Sequence, residues 1–139
     1  MRALVFLLLV AAASAYKMDN CDLARKLKAA GMDGVGTSLS GWVCLAFRES
    51  SYDTEAVNRA NSDGSTDYGI FQINNRYWCS DSQFNGRGCG VRCTDLYNLQ
   101  RSITCAKTIV REQGIHAWVG WRNGCQGDTR KYIAGCTGL

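Results

Sequence analysis

Apolar residues at helical spacing mark three stretches of the chain. Leu23, Leu27 and Ala30 form the first stripe, with Asp19 placed to cap it and Gly31 to stop it. Leu39, Trp42, Val43, Ala46 and Phe47 form the second, behind the N-cap Ser38. Leu99, Ile103, Ala106, Ile109 and Val110 form the third, capped by Asn98. A shorter helix is expected over residues 116–122, carrying Trp118 and Trp121. Between the second and third stripes the helical period disappears. Residues 55–59 and 65–70 read as short strands joined by the Asp63-Gly64 turn. Residues 32–37 and 80–92 read as glycine-rich loops. Helices thus come from both ends and strands from the middle. The pattern predicts an α+β fold, with a helical lobe, a small β lobe and a cleft between them where a ligand would bind.

The first fifteen residues stand apart from this pattern. Met1-Arg2 precedes an unbroken apolar run over residues 3–13, which ends in Ala13-Ser14-Ala15. A charged start, an apolar centre and small residues at an A-x-A site make a signal peptide, cleaved before Tyr16. The run is shorter than the roughly 20 residues a membrane span needs. The expectation is a secreted, soluble product in which residues 16–139 form one domain. Its helical lobe would take about 16–53 and 98–139, and its β lobe about 54–97.

Eight cysteines fall in that mature region, at 21, 44, 79, 89, 93, 105, 125 and 136. An even count behind a signal peptide reads as four disulfides, although eight cysteines allow about 105 pairings. No C-x2-C pair occurs and His116 is the only histidine, which argues against zinc. Sixteen basic and twelve acidic residues give +4, and loss of Arg2 leaves +3. The charges are scattered. They fit modest steering toward an anionic bacterial wall or membrane surface, and lack the basic stripe of a nucleic-acid binder.

The candidate chemistry lies between Glu49 and Asp67. At about 100° per residue Glu49 falls beside Trp42, on the apolar side of its helix. Burial and the helix C-terminus both disfavour its charged form. Asp67 follows Asn61-Ser62-Asp63-Gly64-Ser65-Thr66, a run of polar turn formers that would keep a carboxylate wet. A protonated carboxyl facing an anionic one is the pairing glycosidases use. From these residues alone, a partly buried helix-end glutamate and an ordinary turn aspartate explain the pattern as well.

Three longer motifs decide between the readings. They are Ser65-Thr66-Asp67-Tyr68-Gly69-Ile70-Phe71-Gln72-Ile73-Asn74, the segment from Trp42-Val43-Cys44 to Glu49-Ser50, and Ala117-Trp118-Val119-Gly120-Trp121-Arg122-Asn123. With the cysteine order, these resemble the c-type lysozymes across the whole mature chain. The resemblance implies a secreted antibacterial muramidase that cuts the β-1,4 bond of peptidoglycan with retention, without a cofactor, as a monomer. It implies Glu49 as general acid and Asp67 as nucleophile or electrostatic partner. Trp118 would wall the glutamate, and Asn61 and Asn74 would hold the aspartate. Tyr77 and Trp78 would stack on sugar rings. Gln72 and the backbone of Ala117 would add contacts, and Glu112 would stand near the place where an outer-cleft aspartate is common. Family register implies the bridges Cys21–Cys136, Cys44–Cys125, Cys79–Cys93 and Cys89–Cys105. Cys79 to Cys89, Cys93 to Cys105 and the stretch before Trp118 are shorter than usual. The calcium loop of some relatives needs several aspartates, and this chain has only Asp95 there. A non-hydrolysing glycan or partner binder and a membrane-disrupting cation are the competing functions.

Overall fold

The computed structural model describes residues 16–139, so the segment read as a signal peptide lies outside the described residues. Helix α1 spans Asn20–Ala29, and the Asp19 carboxylate accepts the N–H groups of Cys21 and Asp22 at its start. Helix α2 spans Leu39–Ser50, with the Ser38 hydroxyl accepting from Gly41 N–H. Helix α3 spans Leu99–Gln113, capped by the Asn98 side chain. All three begin where the caps and stripes predict.

Helix α2 is the axis of the molecule. Every residue from Leu39 to Ala46 is buried, whichever way its side chain points. A helix apolar on all sides belongs in the interior. α1, α4 (Val119–Gly124) and the 3-10 turn Arg130–Ile133 pack around it. Phe47 departs from the expectation of a buried stripe, since it is 45% exposed. The sheath ends at Ala46, and Phe47 rests instead against the rings of Tyr52 and Tyr132 at 5.7 and 5.8 Å.

The β lobe is an antiparallel meander of β1 (Val57–Asn58), β2 (Asp67–Tyr68) and β3 (Ile73–Asn74). The strands are shorter than the sequence suggests. The second ends at Gly69, whose φ of +82° turns the chain and whose missing Cβ leaves room for the Leu96 carbonyl. Residues 80–92 are not wholly loop either. β4 (Cys79–Ser80) pairs in parallel with β5 (Val91–Arg92), beside the Cys79–Cys93 bridge. The short helix expected over 116–122 is split. A 3-10 turn takes Ile115–Ala117, Trp118 is extended, and α4 follows. The Trp118 indole N–H donates to the Phe71 carbonyl at 2.8 Å, deep in the core, which accounts for the break.

The sulfurs bond as Cys21–Cys136, Cys44–Cys125, Cys79–Cys93 and Cys89–Cys105, the pairing the resemblance implies. Cys21–Cys136 ties α1 to the tail, and Cys44–Cys125 ties α2 to the end of α4. The lobes meet through Ser50, whose hydroxyl donates to the Ile70 carbonyl at 2.7 Å. That bond links the last residue of α2 to the segment carrying Asp67.

Candidate active site

A cleft of about 540 Å³ runs between the lobes. Glu49, Ile109 and Val119 come from the helical lobe, and Asp67, Asn74 and Trp78 from the β lobe. The volume suits a ligand of several rings rather than a single small ion.

Glu49 reaches the cleft because α2 ends there. Ser51 and Tyr52 turn the chain away with φ of 53° and 68°. The carboxyl stays half-buried. Its Oε2 accepts the Gly120 backbone N–H at 3.3 Å. A Cβ on residue 120 would lie 2.6 Å from the same oxygen, so a larger residue there would push the carboxyl aside. Burial pushes the Glu49 pKa up, the Gly120 bond pulls it down, and the charge of Asp67 pushes it up again, to about 7. Near neutrality the group therefore stands poised between acid and base.

Behind Glu49 lies an aromatic cluster. Trp42 packs edge-on to Phe71 and Trp118 at 5.4 and 5.5 Å, and all three are buried. Trp118 also lines the cleft with Glu49.

Asp67 sits in the central strand. Its register places Asn58 on one side and Asn74 on the other. Asn74 Nδ2 donates to Asp67 Oδ1 at 3.0 Å and to Ser65 Oγ at 2.7 Å. Asn61 does not take the part expected for it. Its amide donates to Ser65 Oγ at 3.2 Å and accepts from Asn58, so it supports the loop and not the aspartate. Asn58 is the neighbour that sequence reasoning missed. Alternation along a two-residue strand facing Asp67 was the available signal.

The other candidate residues divide. Asn61, Gln72, Trp78, Ala117 and Trp118 line the cleft with the two carboxyls. Trp78 is fixed by Gly88, where any Cβ would strike the indole ring. Tyr77 and Glu112 stand outside the lining. In the turn between β3 and β4, Tyr77 is 63% exposed while Trp78 is buried. Glu112 is exposed one turn beyond the cleft-lining Ile109. Ser65, Ile109 and Val119 join the lining without having been singled out. Ile109 had read only as a core position.

His116 is exposed and meets the edge of Trp121 at 5.1 Å. Asp95 accepts the Arg92 N–H and pairs with the side chains of Arg92 and Arg101. Among the described residues no group of three metal-ligating side chains comes together.

The match to a family model of the C-type lysozyme/alpha-lactalbumin family covers residues 16–136. The chain belongs to that family. It is 59% identical to Lysozyme C II of Oncorhynchus mykiss, over 98% of this chain and 99% of the relative. It is 51% identical to Lysozyme C of Takifugu rubripes, with the same coverage. It is 49% identical to the milk isozyme of Lysozyme C from Bos taurus, over 94% and 93% of the two chains. The fold is that of this family: a helical lobe, a small antiparallel β lobe and four disulfides around one cleft.

Proposed function

We propose that this protein is a secreted lysozyme, hydrolysing the β-1,4 bond between N-acetylmuramic acid and N-acetylglucosamine in bacterial peptidoglycan. Relatives named as lysozymes match it over nearly the full length of both chains. The observation that carries the mechanism is Glu49 held at about 7 beside the charge of Asp67, in one cleft. With that value, roughly nine in ten Glu49 carboxyls keep their proton at about pH 6.

Lysozyme is the type case of this carboxyl chemistry, and its known steps map onto these residues. Glu49 gives its proton to the glycosidic oxygen as the bond from C1 breaks, and the leaving sugar departs neutral. Asp67 meets the positive charge growing at C1 and forms the glycosyl–enzyme bond. Glu49, now a carboxylate, takes a proton from water. The resulting hydroxide attacks C1, breaks the bond to Asp67 and restores the configuration of the sugar. Asn74 orients Asp67 throughout. Trp78 offers a ring face to a sugar, and Gln72 and the Ala117 backbone give polar contacts. Tyr77 and Glu112 are left for glycan that runs past the cleft.

The domain would begin at Tyr16 after cleavage, leave the cell and act as a monomer. No helix among the described residues is long and apolar enough to cross a membrane. Clearing of a bacterial wall suspension by wild type and by Glu49→Gln tests the reading. Wild type should clear, and the variant should lose at least about a hundredfold in rate, as expected when a general acid is removed. Equal clearing by both would assign the effect to charge, and no clearing by either would leave only binding. Either result refutes it.

A further inference from the structure

The sheet that carries Asp67 has a second face. Successive side chains of a strand point to opposite sides. At the end of β1, Asn58 lines the catalytic cleft, and Arg59, the next residue, lines a separate hollow. On β2, Asp67 lines the cleft and Tyr68 lines the same hollow. The two cavities share no residue. The second measures about 480 Å³, close to the cleft itself.

Its chemistry differs from the cleft's. Tyr68 and Tyr97 line it together, with ring centroids 6.3 Å apart. Arg59 enters from just past β1 and Arg92 from β5, and Ser80 and Thr94 add hydroxyls. Arg59 has no ion-pair partner among the described residues. The Arg92 guanidinium makes only a long 3.4 Å contact to Asp95, and its side chain is 78% exposed. Exposed pairs of that kind are readily exchanged. One carboxylate, Asp81, borders the hollow, and its oxygens are already occupied. They accept from the Tyr68 hydroxyl, the Asn75 amide and the N–H groups of Gln83 and Phe84. The lining therefore carries two positive charges against one saturated negative charge, a balance of +1.

We propose that this hollow on the reverse face of the sheet is a second binding site, for an oxyanion carried on a sugar-sized body. The phosphate or carboxylate would take the Arg59 and Arg92 guanidiniums, whose planar forks match either group. The body would rest on the half-buried Tyr97 ring, with the buried Tyr68 beside it. This binding goes beyond hydrolysis and does not depend on it.

Two-dimensional NMR of the whole mature protein tests the site, read at the Arg59 and Arg92 Nε–H and the Tyr68 and Tyr97 ring signals. The probes are inorganic phosphate, N-acetylmuramic acid and neutral chitotriose. At least one anionic probe should give saturable shifts at those signals, and chitotriose should move the signals of Asp67 and Trp78 instead. A response to phosphate alone would assign phosphate-bearing ligands, and a response to N-acetylmuramic acid alone would assign carboxylates. Arg59→Gln with Arg92→Gln should weaken the anionic probe by at least about tenfold, the loss expected for charge-assisted contacts, and leave chitotriose binding unchanged. No saturable shift with either anion, or undiminished anion affinity in the double variant, would overturn the proposal.

Discussion

Replacing Glu49 by glutamine keeps the shape of the side chain and removes its titration. In the wild type, folding raises the Glu49 pKa from 4.5 to about 7. Between those values the folded chain holds a proton that the unfolded chain has released. Stability is therefore fully present below about pH 4.5 and falls as the pH rises through 7. The gap of 2.5 (7 − 4.5) sets a ceiling of roughly 3.4 kcal/mol, at about 1.36 kcal/mol per unit. Glu49 is half-buried and opens onto a wet cleft, so screening brings the expected effect to about 2 kcal/mol. Glutamine has no charge to bury and still offers an oxygen to the Gly120 N–H. Guanidinium unfolding with the disulfides intact measures the difference. At about pH 4 variant and wild type should agree within roughly 0.5 kcal/mol, and at about pH 9 the variant should be more stable by about 2 kcal/mol. A gap independent of pH, or a variant less stable at about pH 9, would refute the reasoning.

Other perturbations probe the parts around it. Trp118→Ala should let water reach Glu49, lower its pKa toward 4.5 and move the alkaline limb of kcat/KM down from about pH 7; an unmoved limb would contradict that role for the indole. Gly120→Val brings carbon within 2.6 Å of the Glu49 carboxyl oxygen and displaces it, so kcat should fall by about a hundredfold while circular dichroism stays native. Asn74→Ala removes the 3.0 Å bond to Asp67 and should lower kcat by about tenfold with little change in KM. Opening Cys21–Cys136 with paired serines releases a loop of 115 residues, and calorimetry should find a loss approaching about 5 kcal/mol.

Most of this arrangement was legible from residue spacing and three motifs. Helix caps are local chemistry, so Asp19, Ser38 and Asn98 marked their helices to the residue. The carboxyl pair was legible through the three motifs, because burial and polarity around Glu49 and Asp67 fit a helix-end glutamate and a turn aspartate equally well. What was lost depends on contacts distant in sequence. Trp118 breaks its helix to bond Phe71, 47 residues away. β2 turns off at Gly69, whose positive φ and missing Cβ leave room for the distant Leu96 carbonyl. Gly120 reads in sequence as an ordinary helix residue, and only the fold brings its missing Cβ against Glu49. Asn58, and not Asn61, stands opposite Asp67 because strand register, not distance along the chain, decides which residue lies beside it.

The most direct measurement is a carbon-13 NMR titration of the Glu49 side-chain carboxyl in the intact protein. A midpoint near 7, moving down when Asp67 is replaced by asparagine, is the predicted result. A midpoint near the ordinary 4.5, or one indifferent to Asp67, would contradict the pairing of a proton-holding glutamate with an anionic aspartate.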